Sequence, residues 1–209
     1  MKAFGIIDAQ RGFMPAEEGE RLGLPGFGEL PVPHGEEIVA PINRLLTRAA
    51  SNLWVFTTQD WHSSVTAHFA KDGGMWPVHC VAGTPGALLH PAIVLPPRTA
   101  HFYKGQTPLL PGEEDNSYSG WNSITSDGRS LEGELRRHHI DAFYLGGLAF
   151  DYCVGATALD VREHTGLPVA VVMDGTRGIA PESIREMKAK LRAAGVRLIN
   201  SDQAMEEML

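Results

Sequence analysis

Short, near-continuous apolar runs alternate along this chain with longer stretches whose apolar residues recur at helical spacing. Ala3–Asp8 (AFGIID), Asn52–Asp60 (NLWVFTTQD), Asp141–Leu148 (DAFYLGGL) and Pro168–Asp174 (PVAVVMD) read as buried strands. Thr99–Lys104 (TAHFYK) is a weaker one, and Gly195–Ser201 (GVRLINS) closes the series. Between them, Glu36–Ala50 places Ile38, Val39, Ile42, Leu45 and Leu46 on one helical face. Ser130–His138, Cys153–His164 and Pro181–Ala194 continue the alternation, the last with Pro181 suited to a first helical turn. Strands that are apolar throughout belong to a parallel sheet covered by helices on both faces. The pattern predicts a three-layer α/β/α, Rossmann-like fold with a mainly parallel central sheet of about six strands. No repeat, low-complexity tract or linker divides the chain, so residues 1–209 are expected to form one domain.

Charge narrows the partners. The formal net charge is −7 with no basic run, which argues against nucleic acid or an anionic membrane and leaves a small molecule as the expected partner. A homo-oligomer is compatible with this balance, on which charge gives no guidance. No apolar stretch approaches the roughly 20 residues of a membrane span. The first apolar run is too short for a signal peptide and meets Asp8 at once. The two cysteines, Cys80 and Cys153, cannot build a disulfide framework, so a reducing, cytoplasmic setting is expected.

In a parallel sheet, ligands bind beyond the carboxyl ends of the strands. Asp8, Asp60, Lys104 and the segment leading to Cys153 all fall at or just past such an end. Asp60 and His62 are two residues apart, so in extended chain they point the same way; His68 and His79 follow. Aspartate and imidazole suit one divalent metal such as zinc, manganese or iron. The competing reading is a polar loop with surface histidines, which suits His34, His138, His139 and His164. Cys153 falls at a predicted helix start, where the macrodipole lowers a thiol pKa and free N–H groups can receive an oxyanion. The competing reading, a buried structural cysteine, suits Cys80. With the histidines taken up by metal, Asp8 and Lys104 are the candidates for base and charge partner; singly, they also read as a turn residue and a surface lysine.

The segments IIDAQRGFMP, TTQDWHSSVTAHF, WPVHCVAGTPGALLHP, FYKGQ, NSYSGW, GGLAFDYCVGATALDV and DGTRGI together resemble the isochorismatase-like cysteine hydrolases. The Q-D-W-H and W-P-V-H-C blocks resemble the metal-binding nicotinamidase branch. The resemblance implies hydrolysis of nicotinamide to nicotinate and ammonia, a step of NAD salvage. It implies Cys153 as nucleophile, Asp8 as the group that takes and returns the proton, and Lys104 as their charge partner. Asp60, His62 and His79 would ligate the metal directly, zinc before iron or manganese, with His68 a fourth or water-mediated ligand. The metal would orient the pyridine ring. A cis Leu148–Ala149 peptide and an oxyanion site of the Ala149 and Cys153 N–H groups are also implied, as is a substrate pocket of Phe13, Trp76, Tyr118, Leu148 and Tyr152.

The chain departs from the resembled pattern at Arg11–Gly12, where an Asn–Asp pair is usual, and at DGTRGI. It departs again at Phe150, expected to reshape the pocket mouth in place of a small polar residue. Pro15–Gly35 is a Gly- and Pro-rich insertion, expected as a loop over the site. Three alternatives stand beside the nicotinamidase reading. One keeps the fold but takes another amide, a ureido or carbamoyl substrate, or isochorismate. Another is a metal-hydroxide hydrolase with Cys153 structural. The last is a non-catalytic binding module, which would be expected to have lost Asp8, Lys104 or Cys153.

Overall fold

The structure, a computed structural model, describes residues 1–49 and 53–208. Ala50 and Asn52, ends of a helix and a strand predicted above, lie outside the described residues. Seven strands form one sheet: β1 (Lys2–Ile7), β2 (Leu53–Asp60), β3 (Ala100–Lys104), β4 (Ile124–Thr125), β5 (Ala142–Leu148), β6 (Val169–Arg177) and β7 (Arg197–Ile199). Their order is β4-β3-β2-β1-β5-β6-β7, parallel throughout except for the antiparallel β3–β4 pair. The helices are α1 (Ala16–Leu22), α2 (Val39–Ala49), α3 (Leu131–Arg137), α4 (Gly155–Thr165), α5 (Pro181–Ala193) and α6 (Ser201–Met208).

Strand alternation explains why the apolar runs are unbroken. Phe4, Ile6, Tyr144, Ala170 and Val172 join one buried cluster with Ile42 and Leu45 of α2 and Ala204 and Met208 of α6. Their neighbours Ala3, Ile7, Phe143, Leu145, Val169 and Val171 join a second, with Leu135 of α3, Ala158 and Val161 of α4 and Leu191 of α5. Successive side chains leave a strand on opposite faces, and here both faces meet helices. The three-layer expectation is met, and the sheet is the central layer.

Beyond the six expected strands stands β4, whose two residues are too few for a periodic signal. β6 runs three residues past the expected Asp174. Part of the insertion is helical (α1), and α6 closes the chain; neither was expected. Ser130 caps α3, its side chain accepting from the Gly133 N–H at 3.1 Å. The chain runs outward from β1 through β2 and β3 and returns to β1's other side as β5. That reversal opens a crevice at the carboxyl ends of the central strands.

Candidate active site

Four chemically active side chains converge at that crevice. Asp8 follows β1 with φ of 44°, Asp60 ends β2, Lys104 ends β3, and Cys153 follows β5. All four are buried, Cys153 the most open at 7% exposure. The Lys104 ammonium lies 2.9 Å from Asp8 Oδ2, donates to Asp60 Oδ1, and stands 3.5 Å from Cys153 Sγ. Thr58 Oγ1 donates to Asp8 Oδ1 at 2.7 Å. One cation thus serves two carboxylates and a thiol.

Burial raises the Asp8 pKa to about 6, against the opposing pull of Lys104. Burial also opposes ionisation of Asp60, but Lys104, His62 and His79 overcome it and hold that carboxylate well below its usual range. Lys104 loses by burial and gains more from its two carboxylates, so it stays protonated. The expectation of a depressed thiol pKa is not met. Burial pushes the Cys153 thiol well up; Lys104 opposes this, while Asp8 and Asp60 reinforce it. Cys153 rests as a thiol and needs a base.

The expected helix start at Cys153 is instead a five-residue π-helical turn, Phe150–Val154, leading into α4. The Leu148–Ala149 peptide before it is cis. The Ala149 carbonyl accepts from the Tyr152 and Val154 N–H groups, each at 3.1 Å, and the intervening Cys153 N–H takes no part in that pair. Asp151 accepts from the N–H groups of Ile179 and Ala180 and from Ser183 Oγ, which fixes the turn to the start of α5.

Asp60 joins this quartet to a histidine cluster. Its Oδ2 lies 3.5 Å from His62 Nε2 and 3.9 Å from His79 Nε2, too far for hydrogen bonds. His62, His68 and His79 are at most 5% exposed, and each offers a ring nitrogen within 4.8 Å of the other two. His62 Nε2 is buried without a hydrogen-bond partner among the described residues, an arrangement that costs free energy unless something is bound there. His79 Nδ1 faces the Pro77 carbonyl at 2.7 Å, and His68 Nδ1 faces Asp115 Oδ2 at 2.5 Å. Such partners fix a tautomer that turns the other ring nitrogen to a metal. Burial lowers the His79 pKa to about 4, keeping the imidazole in its neutral, ligating form. The donor set fits one divalent cation.

Between the thiol and the histidines lies a narrow cavity of about 30 Å³. Phe13, Trp76, Tyr118, Tyr152 and Ala149 are among the residues that line it. Trp76 Nε1 donates to Tyr118 Oη at 2.8 Å, and the Trp76 and Tyr152 rings meet edge-on at 5.2 Å. Two expectations are corrected. Leu148 is fully buried in the core beneath the cavity and is not part of its lining. Phe150 is 1% exposed and packs under α4, so it does not shape the mouth. Cys80 is buried, and His34, His139 and His164 are exposed, as expected.

Several site residues gave little or no signal in the sequence. Gln10 donates to the Asp60 and Ala87 carbonyls and accepts from the Asp60 N–H at 2.8 Å, clamping the Asp60 backbone at both its N–H and its carbonyl. Its place two residues after Asp8 was the available clue. Asp115 is 47 positions from His68, and no local pattern links them. Leu30 and Val32 bring the insertion into the lining, and Ile179 adds the segment before α5.

Residues 2–203 match the isochorismatase domain. The nicotinamidase/pyrazinamidase of Mycobacterium tuberculosis is 32% identical over 96% of this chain and all of its own length. The zinc complex of the pyrazinamidase of Pyrococcus horikoshii superposes with a TM-score of 0.79 at 31% identity, covering 95% of this chain and 98% of that one. PnC1 from L. infantum in complex with nicotinate gives 0.78 at 31% identity, covering 97% and 93%. With a buried Asp–Lys–Cys group at the carboxyl edge of a parallel sheet and a family match spanning nearly its full length, this chain belongs to the isochorismatase family.

Proposed function

We propose that the protein is a nicotinamidase, releasing ammonia from nicotinamide to leave nicotinate through a thioester on Cys153. The observation that carries this reading is Lys104, shared among Asp8, Asp60 and the Cys153 thiol at the floor of an aromatic cavity. The M. tuberculosis relative and the nicotinate-bound neighbour support the pyridine substrate.

Asp8, with its pKa near 6, is largely ionised at neutral pH and takes the thiol proton as Sγ attacks the carboxamide carbon. Lys104 stabilises the developing thiolate and keeps Asp8 oriented. The carboxamide oxygen becomes an oxyanion facing the Ala149 and Cys153 N–H groups; each such donor is worth about 10²–10³ in rate. Asp8 then gives its proton to the departing amine, which leaves as ammonia. In the second half, Asp8 takes a proton from water as that water attacks the thioester, and returns it to the thiol. Protons balance over the cycle.

Asp60, His62 and His79, with His68, would hold the divalent metal, for which zinc is the first candidate. Bound there, the metal supplies a Lewis-acid contact for a pyridine nitrogen. Phe13, Trp76, Tyr118 and Tyr152 enclose the flat ring, and this positioning leaves the carboxamide over Cys153. Such a site favours a pyridine carboxamide over aliphatic ureido or carbamoyl amides. NAD salvage in the cytoplasm by a single-domain enzyme is the matching cellular role.

The test is ammonia release and product identification with nicotinamide, beside an N-carbamoyl amino acid and a ureido acid. Nicotinate formation with a kcat/KM at least about a hundredfold above the other two is expected, a gap of about 3 kcal/mol in transition-state binding. Preference for a carbamoyl or ureido substrate would refute the reading.

A further inference from the structure

The insertion 15–35 does more than cover the site. It enters between the segment after β1 and the loop that carries His79. The Gly28, Leu30 and Val32 N–H groups donate to the carbonyls of Met14, Gly12 and Phe13, at 3.0, 2.9 and 2.9 Å. This pairing delivers the Glu29 carboxylate to the Cys80 N–H, which donates to Glu29 Oε2 at 2.8 Å. That N–H belongs to the peptide bond joining Cys80 to His79. On its other side, the Cys80 carbonyl accepts from the His62 N–H at 3.2 Å. Cys80 itself has φ of 45°, the left-handed region that a non-glycine residue occupies only when its surroundings hold it there.

Room for this carboxylate is made by two glycines. A Cβ on Gly12 would lie 2.9 Å from Glu29 Oε2 and 2.9 Å from Cys80 Sγ, and one on Gly86 would lie 2.0 Å from Glu29 Oε2. Neither glycine has a positive φ, so a side chain at either would meet the Glu29 carboxylate and not backbone strain. Position 12 is also where the chain departs from the pattern it resembles, and an aspartate there would place its own carboxylate in the volume that Glu29 fills.

We propose that Glu29 is a positioning residue for the metal cluster. Its carboxylate locks the His79–Cys80 peptide so that the His79 ring faces His62 and His68, and Gly12 and Gly86 are glycines because this carboxylate occupies their side-chain space. The inference rests on reading the three histidines and Asp60 as a zinc site.

Zinc dissociation constants, measured by competition with a chromogenic chelator, test it in the parent and in Glu29→Ala, Glu29→Gln, Gly12→Asp and Gly12→Asp/Glu29→Ala. Removing a group that orients a metal ligand costs about 10–100-fold in affinity, and Glu29→Ala is expected in that range. Glu29→Gln keeps an acceptor oxygen and is expected within a few-fold of the parent. Gly12→Asp alone crowds two carboxylates and weakens zinc, while the double variant recovers most of what Glu29→Ala loses. Should Glu29→Ala fail to fold, Gly86→Ala displaces the carboxylate without altering Glu29 and is expected to show the same loss. Parent-like zinc affinity in Glu29→Ala or in Gly86→Ala, whatever the melting temperature, would overturn the inference. So would a double variant no better than Glu29→Ala. A parent that binds no zinc would overturn the metal-site reading instead.

Discussion

Replacing Lys104 with methionine keeps the apolar stem and removes the ammonium between Asp8 and Asp60. At the 2.9 Å separation of Lys104 and Asp8, and an effective dielectric constant of about 20, their attraction is about 6 kcal/mol. That corresponds to about four pH units of acid strength at Asp8. Water entering the vacated volume screens part of it, so we take half and expect the acid limb of kcat/KM to move up by about two pH units. In the proposed mechanism Asp8 acts as a base in its ionised form with a pKa of about 6, so activity in the parent is expected to rise as pH rises through 6 and to be near its plateau at pH 7. In the variant, only about a tenth of Asp8 is ionised at pH 7 if the limb moves to about 8. Loss of thiolate stabilisation compounds this, giving a fall of about 10²–10³ at pH 7 that narrows toward pH 9. The assay is the pH profile of ammonia release, with thermal unfolding as a control because the change leaves two buried carboxylates without their cation. An acid limb that stays near pH 6 in a folded Lys104→Met protein would refute the assignment of Lys104 as the group that sets Asp8.

Asp115→Ala removes the carboxylate facing His68 Nδ1 and is expected to weaken zinc binding by about 10–100-fold, read by chelator competition; unchanged affinity would mean that His68 is not a ligand that Asp115 orients. Gln10→Ala loses three buried hydrogen bonds around Asp60 and should cost about 2–4 kcal/mol by denaturant unfolding, a value below about 1 kcal/mol being incompatible with the clamp. Trp76→Ala opens the aromatic wall and should raise KM by about tenfold while kcat changes less; a fall in kcat alone would place Trp76 in the chemical step.

The sheet was legible because every central strand is buried on both faces, so the apolar runs from Ala3 to Ile7 and from Val169 to Val172 carry an unbroken signal. The site was legible where residues sit at strand ends: Asp8, Asp60 and Lys104 could be placed without coordinates. What the sequence hid depends on contacts between distant segments. Asp115 meets His68, and Glu29 meets Cys80, across 47 and 51 positions, through loops with no periodicity. Phe150 and Leu148 were placed at the pocket by the pattern the chain resembles. Neighbours in a tight turn project in different directions, and both side chains go into core. The thiol's acidity was misjudged for a related reason: helix position is local, whereas the burial that raises it comes from the whole crevice.

The central claim is that Cys153 carries the acyl group and the metal cluster positions the ring. The most direct measurement compares steady-state ammonia release from nicotinamide by the zinc-loaded parent and by Cys153→Ala, with zinc content measured in both. The account expects equal zinc and a loss of about 10⁴-fold or more in the variant, since removal of the nucleophile leaves only binding and oxyanion stabilisation. Turnover within tenfold of the parent at equal zinc would contradict it and place the nucleophile elsewhere.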